Sequence, residues 1–186
     1  MSDKREAILA ATLELVSERG FHDAPMSLIA KEAGVSAGII YHYFDSKEDL
    51  IHALFIQAKR DFGAAVSAGY DASLPLREQF WRMMSNAARY YLRHPKEAAF
   101  MQQYVNSPFY SAEIEDECRE YFLPTFEIIE RAQREQVIKP LPYEVLYAFT
   151  MEIAISLAQK HANGILTITD GLLDQIIGAC WDALKR

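Results

Sequence analysis

Apolar residues recur every three or four positions along most of the chain, and this spacing limits the possible fold more than any other feature of the sequence. The first set consists of Ile8, Thr12, Leu15 and Val16. It predicts a helix over about residues 3–19, which Gly20 ends. The same period continues to the C-terminus, interrupted at Pro95, Pro108, Pro142 and Gly164. About nine helices and no strand are predicted, so we expect an all-α fold. Within the predicted helical segment 112–137, Pro124 should bend or split the helix.

Composition narrows the class of protein. The chain has 186 residues, of which 51% are hydrophobic and 24% are charged, which is typical of an ordinary globular protein with a sizeable core. No apolar run approaches the roughly 18 residues that span a bilayer, and the charged N-terminus does not match a secretory signal. Cys118 and Cys180 are too few for a disulfide framework and too far apart for a local metal motif. We therefore expect two buried thiols in a cytoplasmic protein, with no membrane partner, metal or cofactor.

The net charge of −7 argues at first against a nucleic-acid partner, because phosphate binding needs clustered cations. The first 50 residues carry five basic and nine acidic side chains, so the charge is not redistributed in favour of that end. Any binding to DNA must therefore rest on a motif.

Such a motif lies in residues 27–50. Ser27 can cap a short helix that ends at Gly34, and Ser36 can cap a second one, AGIIYHYF. The two short helices around a glycine turn have the spacing of a helix-turn-helix. Ile40 and Phe44, four positions apart in the second helix, are expected to face a small core. Ser46 and Asp49 then form a capping box that opens a long helix over residues 47–66.

This stretch resembles the signature of the tetracycline-repressor (TetR) family of bacterial transcriptional regulators. The residues in register with that signature are Ile29, Ala30, Ala33, Gly34, Val35, Ser36, Gly38, Tyr41, Tyr43, Phe44, Ser46, Lys47 and Leu50. Two positions depart from it, because Ala37 stands where the family often has Lys and Ile39 where it often has Thr. The resemblance covers about the first quarter of the chain. It implies a helix-turn-helix DNA-binding domain, residues 1–48, followed by a ligand-binding and dimerisation domain, residues 49–186.

The candidate DNA-binding residues are Ser27, Ser36, Ala37, Gly38, Ile39, Tyr41, His42 and Lys47. The free amides at a helix N-terminus can hold a phosphate near Ser36, and the small Ala37 and Gly38 let the backbone approach the groove. The hydroxyl of Tyr41 and the cation of Lys47 are suited to phosphate oxygens, and His42 to a base edge. Ile39 would contact a thymine methyl if it faces the groove, and otherwise belongs to the core.

The second part of the chain is rich in Phe, Tyr, Met and Trp, which is typical of pockets for flat or greasy molecules. Aromatic-rich helices also form plain core, and that alternative stays open for each residue. The resemblance implies an inducer bound among the central helices. The candidate ligand-binding residues are Phe55, Lys59, Phe62, Tyr90, Tyr104, Phe126 and Met151.

The last two predicted helices, 142–162 and 169–184, carry apolar stripes too broad for burial on one side. The candidate dimer residues are Leu172, Leu173, Ile176, Ile177, Cys180 and Trp181. Paired with the same helices of a second copy, they would form a four-helix interface, and a two-fold dimer implies a palindromic operator.

The sequence contains no H-E-x-x-H, Walker, G-x-G-x-x-G or Cys-x-x-Cys motif, so we do not expect an enzyme. The favoured function is a homodimeric repressor that a small hydrophobic or aromatic inducer releases from double-stranded operator DNA, with efflux or catabolic genes as candidate targets. The alternative is a helical interaction protein that has lost sequence-specific DNA binding.

Overall fold

A computed structural model describes residues 2–186, with side chains from Lys4 onward. Eleven α-helices are present in this part of the chain: α1 (Ser2–Arg19), α2 (Met26–Glu32), α3 (Ala37–Tyr43), α4 (Lys47–Val66), α5 (Leu76–Arg93), α6 (Pro95–Tyr104), α7 (Ala112–Glu117), α8 (Leu123–Arg134), α9 (Tyr143–Tyr147), α10 (Ile153–Ala162) and α11 (Asp170–Leu184). A 3₁₀ turn, Cys118–Phe122, joins α7 to α8, and a π-helical segment, Ala148–Glu152, joins α9 to α10. Counted as continuous stretches, these make nine helices over residues 2–186. The predicted all-α fold is confirmed.

The chain divides into two compact units. The first contains the chain up to Lys59 together with Lys96–Cys118, and the second contains Arg60–Pro95 together with Arg119–Arg186. The α4 helix belongs to the first unit up to Lys59 and to the second from Arg60. Over residues 2–186, no helix is long and apolar enough to cross a membrane.

In the first unit, α1, α2 and α3 bury a small common core. Its fully buried side chains include Ile8, Ile29 and Ile40, and Phe44 is nearly so. Gly34 ends α2 with a φ of +65°, a backbone conformation that favours glycine. Its amide donates to Lys31 O at 3.2 Å, while the amide of Val35 donates to Ala30 O at 3.0 Å. The predicted glycine turn between two short helices is confirmed.

Three predicted helix caps have different outcomes. Ser46 Oγ accepts from Asp49 N at 3.0 Å, as predicted, and Asp49 Oδ2 accepts from the amide of Asp45 at 3.0 Å. Ser36 is the N-cap residue of α3, although its hydroxyl accepts no helix amide. The prediction that Ser27 caps α2 is wrong, because the N-cap is Pro25. The ring of Pro25 fixes a φ of −68° and its carbonyl accepts from the first free amides, so the helix starts before Ser27.

In the second unit, α5 packs against α8, α10 and α11. The ring of Phe80 on α5 lies 5.2 Å from that of Trp181 on α11. Pro124 splits its segment as predicted: the 3₁₀ turn precedes it and α8 begins at Leu123. The sequence did not predict the π-helical segment. There, Thr150 Oγ1 donates to Leu146 O at 2.7 Å.

Candidate nucleic-acid interface and ligand-binding residues

The α3 helix presents a polar face to solvent and an apolar face to the core. Ala37, Gly38, Tyr41 and His42 lie on one face of the helix and are exposed, with exposed Ser36 immediately before them. Ile40 on the other side is fully buried. Tyr41 is 56% exposed, a large fraction for an aromatic side chain that packing could have covered. The exposed face therefore offers hydroxyl, imidazole and helix N-terminal amide groups without any rearrangement.

Two other predicted DNA-binding residues lie at the edge of this face. Ile39 is half-buried, so part of its side chain stays accessible and part contacts the core. Ser27 is the second residue of α2 and is exposed.

Lys47, the first residue of α4, is tied to the loop after α1. Its Nζ donates to the carbonyl oxygen of Phe21, and burial lowers the pKa of Lys47. An ammonium group has three N–H donors, so this bond leaves donors for a phosphate. The bond positions the cation beside the helix-turn-helix.

Three predicted ligand-binding residues come together in the first unit. The rings of Phe55 and Tyr104 are stacked with centroids 4.0 Å apart, and Lys59 Nζ lies 5.3 Å from the Phe55 centroid. Burial raises the pKa of the Tyr104 hydroxyl to about 12, so it stays protonated at neutral pH. Lys59 Nζ also pairs with Glu115 Oε1 at 2.5 Å.

Sequence reasoning missed Glu115 as the partner of Lys59. A lysine in an otherwise apolar helical stripe is a signal for a buried counter-charge, because an unpaired buried ammonium is costly. The acidic run 113–120 contained the only nearby candidates of that kind in its helix, but the sequence offers no means to choose among them.

The other four predicted ligand-binding residues lie in the second unit. The rings of Phe62 and Tyr90 pack with centroids 5.4 Å apart, and that of Phe126 lies 4.9 Å from the ring of Tyr143. Met151 lines a cavity of about 30 Å³ enclosed by α5, α8, the α9–α10 stretch and α11. The other six predicted residues do not line this cavity.

The predicted dimer residues on α11 divide into two groups. Leu173, Ile177, Cys180 and Trp181 are buried within their own chain, whereas Leu172 and Ile176 are half-buried. The two cysteines are free and buried, as predicted. Among the side chains described from Lys4 onward, no cluster of three or more His, Cys, Asp or Glu residues is arranged to hold a metal ion.

Family models match both parts of the chain. Residues 8–54 match the model described as bacterial regulatory proteins, tetR family. Residues 75–185 match the model described as tetracyclin repressor-like, C-terminal domain. The chain belongs to the TetR family. Its members are helix-turn-helix transcriptional regulators and not enzymes, so the exposed face of α3 belongs to the DNA-binding element of a TetR-family regulator.

Relatives of this TetR-family chain are similar over nearly their whole length. A TetR family transcription regulator from Marinobacter aquaeolei VT8 has a TM-score of 0.93 at 26% identity, covering 100% of this chain and 97% of that one. A TetR family protein from Vibrio parahaemolyticus has a TM-score of 0.83 at 33% identity, covering 98% and 99%. An HTH-type transcriptional regulator from Haemophilus influenzae is 25% identical over 186 residues, which is 100% of this chain and 97% of the relative.

Proposed function

We propose that this TetR-family regulator is a repressor that binds a palindromic operator as a homodimer and is released by a small hydrophobic or aromatic inducer. The observation that carries the proposal is the exposed face of α3, where Tyr41 and His42 stand in solvent beside the free N-terminus of the helix. Residues 1–48 are the proposed DNA-binding domain and residues 49–186 the ligand-binding and dimerisation domain.

Each residue of the α3 face has a proposed role in the major groove. The amides at Ser36 and Ala37 hold a phosphate, and the hydroxyl of Tyr41 donates to a second phosphate oxygen. His42 hydrogen-bonds a base edge, and the accessible part of Ile39 contacts a thymine methyl. Lys47 adds its cation on the same strand. Ser27, exposed in the first turn of α2, contacts the backbone at the edge of the groove.

The proposed dimer contact is the apolar surface of α10 and α11. A groove there is lined by apolar side chains only, with half-buried Ile153, Leu157, Leu172 and Ile176 at its accessible parts. Leu173, Ile177, Cys180 and Trp181 support this surface from within their own chain. Two copies related by a two-fold axis bury the groove, and the two α3 helices then read the two halves of a palindrome.

Release follows if the inducer binds one conformation of the second domain better than the other. Such a ligand shifts the population away from the state that binds DNA. A coupling free energy of about 1–3 kcal/mol weakens operator binding by about 5- to 150-fold.

The test measures binding of the full-length protein to fluorescently labelled duplex from the region upstream of its own gene. We expect binding that weakens as salt rises, because phosphate contacts release counterions. Tyr41→Phe should weaken it about 10-fold, since a hydrogen bond to a charged group contributes about 1.5–3 kcal/mol. Tyr110→Phe is the matched control, because Tyr110 is also exposed but lies outside the helix-turn-helix. Equal affinity of the two variants would contradict the proposed role of α3.

A second candidate function is a helical interaction protein without sequence-specific DNA binding. It is favoured by the nine acidic and five basic side chains in the first 50 residues. Absence of any salt-sensitive binding to duplex DNA in the same experiment would support this candidate and overturn the repressor proposal.

A further inference from the structure

We infer that the inducer site is the cavity enclosed by α5, α8, the α9–α10 stretch and α11, and that its ligand is a small, flat, uncharged aromatic molecule. The inference rests on the proposed function, because it assigns the site at which that function is regulated. It departs from the residues that the sequence pattern favoured, of which only Met151 lines this cavity.

The walls of the cavity determine the charge of the ligand. Phe80 and Met83 of α5, Ile128 of α8, Met151 of the π-helical segment and Trp181 of α11 contribute apolar or aromatic surface. Among the described side chains that line it, none is charged. A carboxylate or an ammonium would lose its hydration here without gaining a counter-charge, which is costly. The ligand is therefore neutral.

A few polar groups give the site direction. Thr125, Thr150, Tyr143 and Tyr147 bring hydroxyls to the lining. Thr150 Oγ1 already donates its proton to Leu146 O at 2.7 Å, so towards a ligand it acts as an acceptor. A ligand with one N–H or O–H group fits this combination of a mainly apolar wall and a hydroxyl acceptor.

The size of the cavity means that binding must move its walls. Its volume of about 30 Å³ holds about two water molecules, whereas a benzene-sized ligand needs roughly 150 Å³. The accessible side of the cavity is formed by the half-buried Tyr143 and Tyr147, next to the π-helical segment. Such segments interrupt the regular i→i−4 hydrogen bonds and occur often at functional sites. A ligand that enters here displaces the α9–α10 stretch and α8.

A displacement of α8 reaches α4 without an intervening side chain. The 3₁₀ turn that leads into α8 crosses α4 at Gly63, where a Cβ atom would lie only 2.5 Å from the carbonyl oxygen of Tyr121. Backbone packs directly on backbone at this crossing, and close-packed elements shift together because they cannot compress. The α4 helix is the one that follows the helix-turn-helix in the chain, so the cavity is connected to the DNA-binding element by packed structure.

The test uses ¹³C-methyl methionine NMR on the DNA-free full-length protein, with indole as the probe. Of the six methionines, Met83 and Met151 line the cavity, whereas Met101 is buried in the first unit. Indole is expected to cause saturable ring-current shifts of the Met83 and Met151 methyl signals and to leave that of Met101 unchanged. Indole-3-carboxylate, the same ring with a negative charge, should shift none of them. Shifts of Met101 alone, or none with indole, would overturn the site.

Two variants check that the response comes from this cavity. Ala132→Leu fills it from α8 and should abolish the indole shifts while the Met101 signal keeps its position, which reports an intact fold. Ile128→Ala enlarges the cavity and should strengthen indole binding. Unchanged indole affinity in both variants would overturn the inference.

A parallel measurement of operator binding separates this inference from the proposed function. Intact operator binding without indole shifts would remove the site and leave the repressor proposal standing. Indole shifts in a protein that binds no duplex DNA would support the site and remove the repressor proposal.

Discussion

Gly63 is the residue at which the second unit tolerates the least change. A Cβ atom there would meet the Tyr121 backbone at 2.5 Å, and backbone cannot move aside as a flexible side chain can. Gly63→Ala is therefore expected to lower the free energy of unfolding by about 1–3 kcal/mol, the usual cost of overpacking, measured by urea denaturation.

The matched control for that substitution is Gly171→Ala. Gly171 lies in α11, has no neighbour within 4 Å of an added Cβ and has no positive φ. Alanine in a helix is favoured over glycine by about 0.5–1 kcal/mol, so this variant should be as stable as the parent or slightly more so. A Gly63→Ala variant that behaves like this control would contradict the described packing of the 3₁₀ turn on α4.

Lys59 and Glu115 form an asymmetric ion pair, since their side chains are 7% and 37% exposed respectively. Glu115→Gln leaves a buried ammonium without its carboxylate. The cost should fall between the about 0–1 kcal/mol of an exposed pair and the about 3–5 kcal/mol of a broken buried pair. Lys59→Met removes the buried charge itself and leaves only the better-solvated carboxylate, so it should cost less. Urea denaturation of the two variants checks the order, and a larger cost for Lys59→Met would contradict it.

At the scale of elements, the start of α4 depends on one hydroxyl. Ser46 Oγ accepts from the Asp49 amide at 3.0 Å, and loss of an N-cap costs about 1 kcal/mol. Ser46→Ala should therefore lower the melting temperature, whereas Ser27→Ala, inside exposed α2 with Pro25 as its N-cap, should not. Equal melting temperatures of the two variants, measured by circular dichroism, would contradict the assigned caps.

The sequence predicted α3 and its two faces because the pattern of a short helix determines which side chains point outward. Ile40 and Phe44 are four positions apart and buried, and Tyr41 lies on the opposite side. The π-helical segment was not predictable in the same way. Nearly every residue around Thr150 is apolar, so one additional residue per turn changes no visible periodicity, and the Thr150 hydrogen bond to Leu146 O is a tertiary outcome.

The ligand-binding residues were less predictable because an aromatic residue at helical spacing looks the same whether it fills a core or lines a cavity. Phe62 and Tyr90 pack on each other, whereas Phe80 and Trp181 do so at a cavity wall. The difference depends on whether the opposing helices meet side chain for side chain, which is determined by packing of distant segments. Sequence spacing within one helix carries no such information.

At the scale of the whole molecule, the net charge of −7 means that affinity for DNA depends on the placement of a few groups. A protein with clustered cations binds any duplex by releasing counterions. Here the helix N-terminus at Ser36, the Tyr41 hydroxyl and the Lys47 ammonium must act together, so little affinity is left for DNA of unrelated sequence. Base contacts at His42 then decide which duplex is bound.

The most direct test of this account is selection of bound duplexes from a random DNA library by the full-length protein. We expect enrichment of an inverted repeat whose half-site centres lie about 34–36 Å apart, one turn of DNA, or a multiple of that distance. The enrichment should disappear when Tyr41→Ala and His42→Ala are combined. Recovery of no common sequence at low salt, or of the same repeat by the double variant, would contradict the claim that the exposed face of α3 reads DNA.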